Sequence, residues 1–248
     1  MKKLIASLLA LCMILSLAAA CAEGIQTIEA GKFLYSTSPD FPPFEYRDDD
    51  DNIIGIEPEL IALIMEKIGL EAEAVPMDFD GALLAARVDQ GAKSDAVVSG
   101  VTVTEERKLI YDFTDSYTTI TQAIVSKDGA VTEDQLKDVI IGVQSGTTGQ
   151  IYAEDDYGAN VTKYETYSLA FQALQNGQVD CVLLDDAVGN AYVKQIPGLG
   201  IQPTSYEPES FAFGVNKGNT ALVEAINAVL ADLKEDGTVE ALILKYNE

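Results

Sequence analysis

From Lys32 onward, short apolar runs of β type alternate with helical stretches. That alternation restricts the chain to sheets of largely parallel strands covered by helices. Strands are expected at Lys32 to Tyr35, Glu73 to Val75, Asp95 to Val98, Ala123 to Val125, Val139 to Val143, Val161 to Tyr164, Cys181 to Leu184 and Phe211 to Val215. Helices are expected between them at Pro58 to Ile68, Gly81 to Val88, Gly149 to Glu154, Ser168 to Gln175, Ala187 to Lys194 and Asn219 to Leu233, with a last one ending near Tyr246. The first helix is well signalled: Glu57 and Glu59 sit at its start, Leu60, Ile61, Ile64 and Ile68 form a stripe, and Gly69 follows its end. A second set of elements opens at Thr132, where Thr132 and Gln135 suit a capping box. Phe211 to Val215 and the helices after it come once that set is complete, so they need a sheet formed earlier in the chain.

The N-terminus stands apart. Lys2 and Lys3 precede the apolar run Leu4 to Leu17, and Ala18-Ala19-Ala20 precede Cys21, so residues 1–20 read as an export signal and 21–27 as a tether. The apolar run is too short for a permanent span. Small residues ending in cysteine resemble a bacterial lipobox, although Ala18 stands where leucine is usual, and an ordinary signal peptidase site is the alternative. Lipidation of Cys21 is the expectation, since the residue is otherwise an unpaired thiol on an exposed tail. Cys12 leaves with the signal, so Cys181 is the one cysteine of the folded part and no disulfide framework is expected.

A formal charge of −24 repels nucleic acid and anionic lipid head groups alike. Nucleic acid is thereby excluded as a partner, and attachment to a membrane requires the covalent anchor. The absence of histidine removes the commonest general base, the Ser–His and Cys–His pairs and histidine metal sites. No cofactor or metal is expected. Asp48, Asp50, Asn52 and Glu59 match four places of a calcium loop, but Ile53 occupies the place that needs glycine, so the segment reads as a solvated hairpin tip.

The chemistry concentrates in Ser99-Gly100-Val101-Thr102 through Arg107, after the apolar run Ala96-Val97-Val98. Small residues let a ligand approach the backbone, Thr102 adds an N–H and a hydroxyl, and Arg107 offers a planar fork that grips a carboxylate in two bonds. Gln144-Ser145-Gly146-Thr147-Thr148 follows a strand and opens a helix, so its free N–H groups favour an anion. It lacks the lysine of a nucleotide loop. Asp185 ends an apolar strand and suits a cation, whereas Asp186 suits the cap of the next helix. Phe41 and Phe79 are candidate apolar walls.

These segments, with Pro42-Pro43-Phe44-Glu45, Gly55-Ile56-Glu57-Pro58-Glu59-Leu60 and Asp78-Phe79-Asp80-Gly81 before them, resemble in order the amino-acid-binding family of bacterial solute-binding proteins, the extracytoplasmic receptors of ABC importers. The resemblance implies a two-lobed, type II periplasmic-binding-protein-like α/β fold whose discontinuous lobes are joined by a two-strand hinge. Lobe 1 is expected at 28–118 plus 208–248 and lobe 2 at 122–204. It places Arg107 and the Thr102 N–H on an amino acid's α-carboxylate, the backbone carbonyls of Ser99 and Gly100 and the Asp185 carboxylate on its ammonium, and Phe41, Phe79, Gln144, Thr147 and Thr148 around it. Ser38, Asp40 and Glu45 are candidates for the side-chain pocket. Receptors for lysine or arginine tend to carry an acid near the place of Ser38, so a polar neutral ligand is favoured. The implied partners are ABC permease subunits, at the periplasm or the outer face of the cytoplasmic membrane. Two alternatives are a cyclohexadienyl dehydratase on the same fold, with Glu45 or Asp185 as acid, and a ligand-sensing subunit of a membrane receptor. The segment Arg87 to Lys93 is slightly longer than the family's usual connection, which bears on the register near Phe79.

Overall fold

The structure is a computed structural model describing residues 24–247, and the export signal and Cys21 lie outside the described residues. Two five-stranded sheets form the framework. In the first, Lys32–Thr37 pairs in parallel with Glu71–Pro76 on one side and Ala96–Val97 on the other, and Gly214–Asn216 and Tyr111–Phe113 complete the order. In the second, Val161–Tyr164, Ile141–Gln144 and Cys181–Asp185 run parallel, Gln122–Lys127 is antiparallel to them, and Leu199–Pro203, antiparallel to Gln122–Lys127, returns to their direction. Both sheets are therefore mixed. The reversed strand is the first that each sheet receives when the chain crosses into it, Gln122–Lys127 and Gly214–Asn216, and the other four strands of each sheet share one direction, as expected. Thr118–Ile120 and Glu209–Phe211 pair as a two-stranded antiparallel ribbon on the two passages between sheets.

Helices cover the sheets with the apolar stripes expected of them. Ile56–Ile68 buries Ile56, Leu60, Ile61, Ile64, Met65 and Ile68, and packs against Thr220–Glu235, which buries Leu222, Ile226, Leu230 and Leu233. It stops at Gly69, whose φ of 87° is left-handed. In the second lobe, Tyr167–Gln175 buries Tyr167, Ala170, Phe171 and Leu174, and its N-cap Thr166 accepts the Leu169 N–H at 3.2 Å.

Several elements differ from expectation for local reasons. The helix expected at Gly81 to Val88 spans Phe79–Ala85, because the Asp78 carboxylate caps it by accepting the Gly81 N–H at 2.9 Å. The long connection after it folds as a 3₁₀ turn, Val88–Gln90, and returns through Lys93 and Ser94 N–H groups that donate to the Ala85 carbonyl. The strand expected from Val139 starts at Ile141, since the Ile140 N–H donates to the Asp180 carboxylate instead. Phe211 to Val215 divides between the ribbon and the first sheet. Cys181 is buried, and burial pushes its thiol up to about 12, so it acts as an apolar filler.

Candidate functional site

A narrow crevice lies between the two sheets. Its polar walls come from the carboxyl ends of parallel strands, where an open α/β sheet leaves room for a ligand. Ser38 follows Lys32–Thr37, Ser99 and Gly100 follow Ala96–Val97, Gln144 ends its strand, and Asp185 ends Cys181–Asp185. The lining consists of Ser38, Phe41, Phe79, Ser99, Gly100, Thr102 and Arg107 from one side and Gln144, Thr147, Thr148 and Asp185 from the other. The structure thus brings together the Ser99–Arg107 segment, the Gln144–Thr148 segment and Asp185, which are up to 86 positions apart in the chain.

Arg107 lies in the short helix Glu105–Lys108, which Thr104 caps by accepting the Arg107 N–H at 3.1 Å. Its guanidinium donates to the Thr102 carbonyl at 2.8 Å and, across the crevice, to the Gly146 carbonyl at 2.9 Å. It also lies 5.7 Å from the centre of the Phe79 ring, within range of a cation–π contact. Burial lowers its pKa, opposed by Glu209, Tyr111 and Asp185, and a guanidinium stays charged under that pressure. Opposite, Thr147 caps Thr148–Tyr157 by accepting the Gln150 N–H at 3.1 Å while its hydroxyl donates to the Gln144 carbonyl at 2.8 Å. The positive end of that helix therefore faces the same space.

Asp185 is buried, and its carboxylate accepts the Gln122 amide at 2.8 Å. Burial pushes its pKa well up, with Glu209 and Asp186 acting in the same direction and Arg107 against. By backbone geometry it is the N-cap of Asp186–Gln195, yet its side chain caps nothing. Asp186 accepts the Ala187 N–H at 2.8 Å and the Thr121 hydroxyl at 2.9 Å, which leaves Asp185 to the crevice. The site thus offers a fixed cation on one side and, on the other, a carboxyl without a cation partner among the described residues.

Gly100 has φ of +55°, and a Cβ there would stand 2.3 Å from Cε1 of Phe41. Gly100→Ala is expected to strain the turn and displace the Phe41 wall, costing about 1–3 kcal/mol. A urea titration of the ligand-free protein checks this, and an unchanged midpoint would count against it.

Residues 34–248 match the sequence profile of bacterial extracellular solute-binding proteins, family 3. The chain belongs to this family. Among its relatives is the L-cystine-binding protein TcyJ of Escherichia coli (strain K12), 31% identical over 224 residues that cover 88% of this chain and 83% of the relative. The arginine-binding extracellular protein ArtP of Bacillus subtilis (strain 168) is 31% identical over 256 residues, covering 99% and 98%. Among solved structures, an ancestral arginine-binding protein bound to glutamine superposes with a TM-score of 0.82 at 38% identity, covering 88% of this chain and 98% of its own.

Two of the residues expected in a side-chain pocket of this solute-binding protein stand elsewhere. The Asp40 carboxylate accepts the Tyr167 N–H at 2.7 Å and the Ser38 hydroxyl at 3.0 Å, and the Asp40 carbonyl accepts the Tyr192 hydroxyl at 2.9 Å. Asp40 is thereby a clasp onto the opposite lobe, seated at the start of Tyr167–Gln175 where the helix favours an anion. Glu45 is 0% exposed behind the crevice wall and accepts the Ser99 hydroxyl at 2.8 Å. Neither lines the crevice. Their placement follows from contacts distant in sequence, since Asp40 and Tyr167 are 127 positions apart.

Sequence reasoning missed Glu209. This buried acid of the ribbon accepts the Thr102 hydroxyl at 2.7 Å and the Thr148 hydroxyl at 2.8 Å, so it ties one residue of each wall to the hinge. In the sequence it closes the polar stretch Tyr206-Glu207-Pro208-Glu209, which carries no periodic signal of burial. Glu57 was likewise read only as a helix-start acid, although its side chain is 0% exposed.

Proposed function

We propose that this solute-binding protein captures one amino acid as a zwitterion between its lobes and hands it to the permease of an ABC importer. The observation that carries this reading is that Arg107 and Asp185 line one crevice from opposite walls. In it, Arg107, the Thr102 N–H and the start of Thr148–Tyr157 hold the α-carboxylate. Asp185 and the carbonyls of Ser99 and Gly100 hold the ammonium, and Phe41 and Phe79 flank the aliphatic part. The closing bodies are residues 28–118 with 208–248, and 122–204. Lipidation of Cys21 tethers the protein at the cell envelope, and the mass of the mature N-terminus tests that point.

The side chain of the ligand is polar and neutral in this reading. Ser38 and Gln144 supply a hydroxyl and an amide to the crevice, while Asp40 and Glu209 already accept hydrogen bonds from the protein. Among the described residues that line the crevice, Asp185 is the one acid, and the ammonium of the ligand takes it. The burial of Glu45, one of the two acids considered for dehydration, favours binding without turnover.

A thermal-shift panel of all proteinogenic amino acids with cystine tests the proposal. A ligand at a thousand times its dissociation constant should stabilise the fold by about 4 kcal/mol. No shift anywhere in the panel would overturn it. Asp40→Ala should release the Ser38 hydroxyl and weaken the closed form. Loss of charge-assisted bonds from Tyr167 predicts roughly tenfold weaker binding, seen mainly as faster release in stopped-flow measurements. Unchanged release would show that the clasp does not hold closure.

A further inference from the structure

Behind the crevice wall lie two carboxyls that the binding reading does not use. Glu45 and Glu57 are both 0% exposed, and neither forms an ion pair among the described residues. The ionisable groups facing them are acids too: Tyr35, Tyr117 and Asp40. We propose that Glu45 and Glu57 hold one proton between them and that the Glu57 carboxylate aims the Ser99 carbonyl at the ligand's ammonium. This rests on the amino-acid reading of the site.

The hydrogen bonds decide which carboxyl is charged. Glu57 accepts the Gly100 N–H at 2.9 Å on Oε2 and the Tyr117 hydroxyl at 2.6 Å on Oε1, and it lies in the first turn of Ile56–Ile68. Two donors and a helix N-terminus favour its ionised form. Glu45 accepts only the Ser99 hydroxyl, on Oε1, and its buried Oε2 has no other partner. The two carboxyls bond consecutive residues, Ser99 and Gly100, and two neighbouring buried charges with no cation are untenable, so the proton sits on Glu45, whose Oε2 is free to carry it. Burial pushes the pKa of both groups upward, that of Glu45 well above the usual carboxylate value.

The consequence for the ligand follows from the planar trans peptide, in which N–H and C=O point opposite ways. The Gly100 N–H points inward to Glu57, so the Ser99 C=O points outward into the crevice that Ser99 and Gly100 line. The left-handed φ of Gly100, +55°, lets the chain turn there. A single negative charge behind that peptide strengthens the carbonyl as an acceptor for a cation, and Glu57 is thus a positioning residue.

Two measurements test the pair. Infrared difference spectra of the ligand-free protein at neutral pH, wild type minus Glu45→Gln, should contain a carboxylic-acid C=O band, and its absence would overturn the shared proton. Calorimetry then uses the amino acid with the largest thermal shift in the panel and its 2-hydroxy analogue, which lacks the ammonium. Glu57→Gln should weaken the amino acid by about ten- to hundredfold and the 2-hydroxy acid by less than about threefold. Equal losses for both, or no loss for either, would overturn the positioning role. If Glu57→Gln does not fold, Tyr117→Phe removes one donor to Glu57 and should show the same selectivity at smaller size, again overturned by equal effects. A wild type that binds no amino acid fails the reading of the site, whereas the infrared result stands apart from it.

Discussion

Arg107→Met is expected to weaken amino-acid binding by roughly thirtyfold to several thousandfold, the range that follows from removing one partner of a buried charge pair at about 2–5 kcal/mol. The guanidinium reaches the crevice with one N–H of each terminal nitrogen held, by the Thr102 carbonyl on its own side and the Gly146 carbonyl across the gap. Deleting it leaves the ligand carboxylate with the helix start at Thr148 and the Thr102 N–H, neither of which carries a full charge. Arg107→Lys should fall between wild type and methionine, because an ammonium supplies charge without the two parallel bonds of a guanidinium. Isothermal titration with the panel's strongest ligand reads both. Binding by the methionine variant within threefold of wild type would show that the carboxylate lies elsewhere.

Asp185→Asn should have two effects of opposite sign. Ligand affinity should fall on a scale similar to the loss at Arg107, since Asp185 is the carboxylate proposed to face the ammonium. The ligand-free protein, by contrast, gains stability. Burial raises the Asp185 pKa in the folded state, so its stabilising contribution is complete below the unfolded carboxylate value. That contribution is lost as pH rises from there through the folded value. At neutral pH the wild type therefore bears the cost of this group and the asparagine variant does not, giving a melting point higher by about 2–4 °C for each kcal/mol relieved. Binding depends on pH in the opposite sense. The ammonium requires the ionised acid, so wild-type affinity should fall on acidification through the raised ligand-free pKa, and Asp185→Asn should lose that slope. A variant less stable than wild type at neutral pH, or one that binds normally, would contradict this account.

The parts of the site that were legible in the sequence are those whose role is local. Ser99, Gly100, Thr102 and Arg107 lie within nine positions, at the end of one apolar strand, and their spacing states the chemistry. Asp185 announces itself in the same way, as an acid at the mouth of Cys181–Leu184. The residues that escaped notice or changed role are those whose partners are remote. Glu57 meets Gly100 across 43 positions, Glu209 meets Thr102 across 107, and Asp40 meets Tyr167 across 127. A lone acid beside polar neighbours gives no periodic signal of burial, so Glu57 reads as a helix start and Asp40 as a pocket group, and Glu209 goes unremarked. For the fold, helix stripes and central strands were readable because burial imposes a period on them. Where strands end was not, because competing partners such as the Asp180 carboxylate at Ile140 decide it.

The central claim is that a zwitterion spans the crevice with its poles on opposite walls. A crystal structure of the protein with the strongest amino acid of the panel tests it most directly. The account predicts the α-carboxylate in two bonds with Arg107 and the ammonium on Asp185 and the Ser99 carbonyl. An amino acid bound outside the crevice, or lying in it with its poles reversed, would contradict the account.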